Sequence, residues 1–212
     1  MKLYGYFRSS AAYRVRIALA LKGLAYEYVP VHLVKGEQRS ESYRALNAQQ
    51  LVPTLADERG TFTQSLAIIE YLDERHPEPP LLPKAPEARA RVRAIALAIA
   101  CDSHPLNNTR VLQYLTGTLG ASEDAKNAWY RHWIDLGLAA LEAGLASDMA
   151  TGVFCHGDRV TLADVCLVPQ LANARRYKIP LEPYPTLTRI DAECRKLEAF
   201  AAAAPERQPD AA

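Results

Sequence analysis

The chain has 212 residues, 49% of them hydrophobic and 23% charged, with a formal net charge of +1. That composition excludes a disordered chain, and near-neutrality excludes a chain-wide affinity for nucleic acid or an anionic membrane. No uncharged run exceeds 12 residues, well short of the ~20 that a membrane-spanning helix needs. Along the chain, residues 2–7 read as a short apolar strand. Ser9 and Ser10 offer N-cap hydroxyls. Ala11, Val15, Ala18 and Leu19 then recur on one helical face, and Gly23 stops the helix. Residues 26–32 are β-rich but contain Pro30, which marks an edge strand. Residues 52–55 begin another strand, 57–60 form a turn, and 61–63 return. Ser65 caps a helix running to Arg75. The order β-α-β-(loop or helix)-β-β-α predicts an α/β, thioredoxin-like domain with a mixed four-stranded sheet.

Five of the 14 prolines fall within residues 77–86, a stiff linker. Beyond it the pattern is helical. Residues 87–115 read as one long helix kinked at Pro105, and 124–147 as a second. Thr161 and Asp164 form a capping box that opens a third, 162–177. Pro185 precedes a fourth, 186–199. The polar tail from Pro205 is expected to fray. The predicted organisation is therefore a thioredoxin-like domain over 1–83 and an all-helical domain over 84–212, with a linker at about 77–87.

Cys101, Cys155, Cys166 and Cys194 show no metal or redox spacing, so no metal is expected. With no signal-peptide pattern at the N-terminus, the expected location is cytoplasmic and the thiols reduced. Redox enzymes of thioredoxin type place a cysteine at the first helix N-terminus, where the dipole lowers its pKa. Here Ser9, Ser10 and Ala11 stand there, so the protein is not a thiol–disulfide oxidoreductase. A serine hydroxyl at that position can donate to a bound ligand's thiolate, or it can simply cap the helix. Gln64 and Ser65 likewise suit a carboxylate site or plain capping. Val52-Pro53 is a candidate cis peptide that would expose the Val52 backbone to a peptide-like ligand. His104, Asn108 and Arg110 gather polar groups near Pro105, with His104 and Asn108 at one-turn helical spacing. Of the basic residues, 18 are Arg and 7 Lys. Arg suits bidentate carboxylate recognition, and genomic base composition is the competing account.

The stretches Tyr6-Phe7-Arg8-Ser9-Ser10, residues 14–19, 51–55, 64–72 and 162–177 together resemble the zeta class of the glutathione transferase superfamily, over nearly the whole chain. The resemblance implies glutathione as cofactor, a small dicarboxylate as substrate, and a homodimer. It implies isomerisation of maleylpyruvate to fumarylpyruvate, with maleylacetoacetate the alternative substrate. Ser9 would face the glutathione sulfur, assisted by Ser10 and the N–H groups that follow, Ala11 among them. Gln64 and Ser65 would hold the γ-glutamyl end, and Val52-Pro53 the cysteinyl amide. Gln38 would be a further contact, and His104, Asn108, Thr109 and Arg110 would be helical-domain contacts. Arg8 and Arg176 would bind the substrate carboxylates, with Arg110 adding charge, all three facing one cleft. The sequence departs from the family in Ala11, where a cysteine is usual, and in Tyr13, where a tryptophan is usual. The first departure tells against activities that need that thiol and leaves the isomerase route intact. His104 stands where glutamine is common. A general transferase or α-haloacid dehalogenase, and a non-enzymatic glutathione-binding module, remain alternative functions.

Overall fold

The computed structural model describes residues 1–211. It contains two compact units: Met1–Pro80 together with the chain from Arg195 onward, and Leu81–Cys194. In the first unit the order is β1 (Lys2–Gly5), α1 (Ser10–Leu21), β2 (Glu27–Pro30), α2 (Glu41–Leu46), β3 (Thr54–Asp57), β4 (Gly60–Thr63) and α3 (Ser65–Arg75), with α10 (Glu198–Ala203) added from the C-terminal segment. The segment left open between loop and helix is thus the short helix α2, capped by Ser40 through the Tyr43 N–H. The sheet order is β2-β1-β3-β4. The β1–β2 pair is parallel, and the β1–β3 and β3–β4 pairs are antiparallel. β2 lies at the edge, where Pro30 removes no ladder donor from a neighbour on its open side.

Helix α1 departs from a one-faced amphipathic pattern: ten of its 12 residues are buried, including Arg14 and Arg16. It packs against both α3 and α10, so nearly all of its circumference is covered. Its end is set by Gly23 at φ 63, where the Gly23 and Leu24 N–H groups return to the Ala20 and Leu19 carbonyls. The ammonium of Lys22, with no exposed side-chain surface, donates to Asp73 at 2.8 Å and to the carbonyls of His76 and Pro79. It fixes the chain leaving α3, ahead of the irregular Pro-rich stretch that ends at Pro86.

The C-terminal tail corrects the expectation of fraying. Gln208 is buried, and its amide donates to the Ala202 and Ala204 carbonyls at 3.0 and 2.9 Å. Its polarity serves the open C-terminal carbonyls of α10 rather than solvent.

The second unit holds α4 (Pro86–Leu97), α5 (His104–Leu106), α6 (Thr109–Gly117), α7 (Glu123–Ser147), α8 (Leu162–Arg176) and α9 (Pro185–Arg195, its last residue grouped with the first unit). The single kinked helix expected over 87–115 is instead three helices. A π-helical turn, Ala98–Ser103, follows α4, and Asn108 at ψ 145 interrupts the path before α6. Pro105 lies inside a helical run that continues without a break from α4 through the π turn into α5, where it removes an N–H that would reach back along the helix. Ser103 packs where a Cβ on Gly137 of α7 would sit 2.2 Å from its Oγ, so α7 approaches this turn only because residue 137 is glycine. The fourth predicted helix likewise splits: α9 ends at Arg195, and α10 starts at Glu198. The capping box of α8 forms as read, with the Asp164 carboxylate accepting from the Thr161 N–H and hydroxyl and from the Cys155 N–H.

Candidate active site

The sheet register gathers one end of the first unit. Tyr4 pairs with Thr54, and Thr54 with Thr63. The residues just past these pairs are therefore neighbours: Tyr6 to Ser9 after β1, Val52-Pro53 before β3, and Gln64-Ser65 after β4. Tyr6 and Val52 share one buried cluster. The Val52–Pro53 peptide is cis, and Val52 lies outside the ladder, which begins at Thr54.

At the start of α1 the Ser9 N–H closes a turn on the Tyr6 carbonyl at 2.9 Å. Ser9 is the N-cap: its Oγ accepts the Ala12 N–H at 3.2 Å. A hydroxyl has one donor and two acceptor positions, so capping leaves the O–H proton free to donate. Capping and ligand binding are thus compatible in one residue. Ser9 is half-buried, Ser10 and Ala11 are buried, and Arg8 is exposed with its guanidinium 4.9 Å from the Phe7 ring centroid.

At the start of α3 the expected cap is displaced by one residue. Gln64, at φ 70, is the N-cap and makes no side-chain cap bond, while Ser65 is already helical. Left-handed φ in a non-glycine residue is uncommon and clusters at functional sites. The Gln64 amide donates to Gln49 Oε1 at 2.9 Å. Ser65 Oγ accepts from Arg14 Nη1 at 3.2 Å, which ties the two helix starts together. Gln38 sits in a 3₁₀ turn, Glu37–Arg39, and is buried with Oε1 lacking a hydrogen-bond partner. A buried acceptor without a donor carries a desolvation cost of about 1–3 kcal/mol, which a ligand N–H would remove. These groups fit a peptide-like ligand with a thiol and carboxylates.

In the second unit Asn108 caps α6, its Oδ1 accepting the Arg110 N–H at 3.1 Å. The helical face expected to join His104 and Asn108 does not exist, because the chain is extended at Asn108. Thr109 and Arg110 are exposed in the first turn of α6. The pair Arg175-Arg176 divides its work. Arg175 is ion-paired with the buried Asp191. Arg176 lies 5.0 Å over the Tyr177 ring and donates to the Tyr130 hydroxyl at 3.3 Å. Tyr130 and Tyr177 stack at 3.5 Å, and burial pushes the Tyr130 phenol up to about 12. This aromatic shelf was not read from the sequence, since its members are 47 positions apart. Cys155 is buried, which raises its thiol well above the usual range and removes it as a nucleophile. Among the described residues no His, Cys, Asp and Glu cluster suits a metal ion, and no helix is long and apolar enough to cross a membrane.

A thioredoxin-type unit with two neighbouring helix starts, followed by a helical unit, defines a glutathione transferase architecture. Family models for the glutathione S-transferase N-terminal domain and C-terminal domain match residues 3–80 and 127–203, and the chain belongs to this family. Among its relatives, it is 54% identical to the probable maleylacetoacetate isomerase of Vibrio cholerae, over 99% of this chain and 97% of that protein. The holo structure of a maleylpyruvate isomerase, described as a bacterial zeta-class glutathione S-transferase, matches with TM-score 0.98 and 51% identity, each chain covered completely. A maleylacetoacetate isomerase from Methylobacterium extorquens AM1, with malonate and glutathione bound, matches with TM-score 0.98 and 44% identity, also over both full chains.

Proposed function

We propose that this protein is a zeta-class, glutathione-dependent cis–trans isomerase that converts maleylpyruvate to fumarylpyruvate. The observation that carries the reading is Ser9, an N-cap whose oxygen is engaged by Ala12 N–H and whose proton remains to be donated. Bound glutathione supplies a thiolate that adds reversibly to the cis double bond, making it single until rotation and expulsion return the trans isomer and the free thiolate. Ser9 Oγ donates to the sulfur, and Ser10 with the Ala11 and Ala12 end of the helix adds the positive end of the dipole. Gln64 and Ser65 hold the γ-glutamyl end, the Val52 backbone pairs with the cysteinyl amide, and Gln38 accepts a ligand N–H. Arg8 and Arg176 bind the substrate carboxylates, and Arg110 adds positive charge for the developing enolate. His104, Asn108 and Thr109 are assigned to glutathione binding from the second unit. The glutathione-binding domain is assigned to 1–83 and the helical domain to 84–212, although the segment from Arg195 belongs to the first compact unit. The protein is assigned as a cytoplasmic homodimer.

Maleylacetoacetate is the second reading, favoured by the 54% identity to the Vibrio cholerae relative of that name. The two substrates share the maleyl group and differ only beyond it. Purified protein, glutathione and each cis substrate, followed by proton NMR, separate the readings. Trans product with glutathione unconsumed supports isomerisation, and the faster substrate is the physiological class. Accumulation of a stable conjugate makes the protein a transferase instead. An Arg176→Ala variant with an unchanged specificity constant removes Arg176 from the carboxylate site.

A further inference from the structure

The C-terminal segment reaches the turn that carries Arg8 and Ser9 by a closed series of contacts within the first unit. Tyr13 on α1 donates its hydroxyl to the Phe200 carbonyl of α10 at 3.2 Å. Arg16, three residues further along α1, donates from Nε to the Ala203 carbonyl at 2.9 Å. Gln208 closes the carbonyl end of α10 and turns the chain back. Asp210 then accepts the Phe7 N–H on Oδ2 at 3.0 Å and the Tyr28 hydroxyl on the same oxygen at 3.2 Å. Arg16 Nη2 donates to the Phe7 carbonyl at 3.2 Å. Phe7 is thereby gripped at its N–H by the tail and at its C=O by the residue that anchors the tail. The next two residues are Arg8 and Ser9. Burial, and then the neighbouring Asp210 carboxylate, raise the Tyr28 phenol, so it stays a donor.

Position 210 offers a general acceptor where any carboxylate or amide oxygen would serve. Its second oxygen, Oδ1, is buried with no hydrogen-bond partner. A carboxylate oxygen that is buried and unpaired is costly. The placement makes sense if fixing the Phe7 backbone matters more than the stability lost. We infer that Asp210 is a positioning residue for the Arg8–Ser9 turn, acting with Arg16 to hold the N–H and C=O of Phe7. The assignment rests on the reading of Ser9 as the hydroxyl that faces the glutathione sulfur.

The test is the ultraviolet thiolate absorbance of protein-bound glutathione, titrated against pH in the parent, Ser9→Ala, Asp210→Ala and Asp210→Asn proteins. Ser9→Ala raises the midpoint of the bound thiol by about one pH unit as a donor is lost. Asp210→Ala raises it in the same direction by roughly half as much, and lowers kcat about 10-fold through misplacement, while KM for glutathione changes little. The sign is diagnostic, because removing a negative charge alone favours the thiolate and lowers the midpoint. Asp210→Asn keeps the acceptor oxygen for Phe7 and restores kcat, with a midpoint at or below the parent's. If Ser9→Ala raises the midpoint and Asp210→Ala leaves it unchanged or lowers it, the inference is overturned while the role of Ser9 stands. If Ser9→Ala itself leaves the midpoint unmoved, the reading of Ser9 falls and the inference with it. Should Asp210→Ala not fold, Tyr28→Phe removes one of the two bonds to the carboxylate. A small rise in the midpoint there supports the inference, and a parental midpoint overturns it.

Discussion

Ser9 and Ser65 stand at the two neighbouring helix starts of the first unit, and they do different work. At α1 the serine precedes the helix in extended conformation and caps it, with its proton to spare. At α3 the serine is the first helical residue, its oxygen takes a guanidinium proton from Arg14, and a strained glutamine stands where the cap belongs. In the proposed function the α1 start donates to a developing or resident negative charge. In the proposed function the α3 start holds a ligand's charged end. The same amino acid at the same kind of helix end is assigned to chemistry in one place and to binding in the other, and one residue of offset makes the difference.

The largest test of that contrast is Ser9→Ala. Loss of a donor to the reacting sulfur is expected to lower kcat/KM about 100-fold, read by isomerisation kinetics. The lost cap should also cost about 1 kcal/mol in chemical denaturation. If only stability falls, the two helix starts are equivalent after all. Next comes Arg14→Ala, which severs the bond between the starts. A stability loss of about 2 kcal/mol is expected for a buried charged hydrogen bond, together with weaker glutathione binding in calorimetry. Gln64→Gly sharpens the contrast by splitting two observables. Relief of the left-handed backbone should stabilise the fold by about 1 kcal/mol, while removal of the amide weakens glutathione binding. The smallest change expected is Ser65→Ala, a several-fold rise in KM for glutathione with kcat nearly unchanged, where a fall in kcat alone would merge the two sites.

The readable parts of this molecule were those coded locally. Pro30 placed β2 at an edge, Thr161 and Asp164 announced α8, and the spacing of strands and helices gave the first unit's order. The offset at α3 was not local. A glutamine at φ 70 is imposed by the β4–α3 connection, and nothing in Gln64-Ser65 distinguishes it from an ordinary serine cap. The π turn at Ala98–Ser103 was hidden for a related reason. Apolar periodicity continues through it, and the close packing of Ser103 on Gly137 comes from another helix. The tail was misread because polarity looks the same whether its partner is water or backbone. Asp210 meets Phe7 across 203 positions of sequence. Ser9, Gln64 and the arginines were visible as candidates, but the shelf under Arg176 and the grip on Phe7 became visible only in three dimensions.

Arg175 and Arg176 are chemically identical and adjacent, yet one is spent on Asp191 and the other rests on stacked tyrosines. What distinguishes them is angular phase, about 100° of rotation per helical residue. The capping box at Thr161 fixes where that rotation begins, 15 helical residues upstream of the end of α8. The helix is in effect a ruler, and which arginine meets Asp191 and which rests on the tyrosines is written in the number of residues it contains.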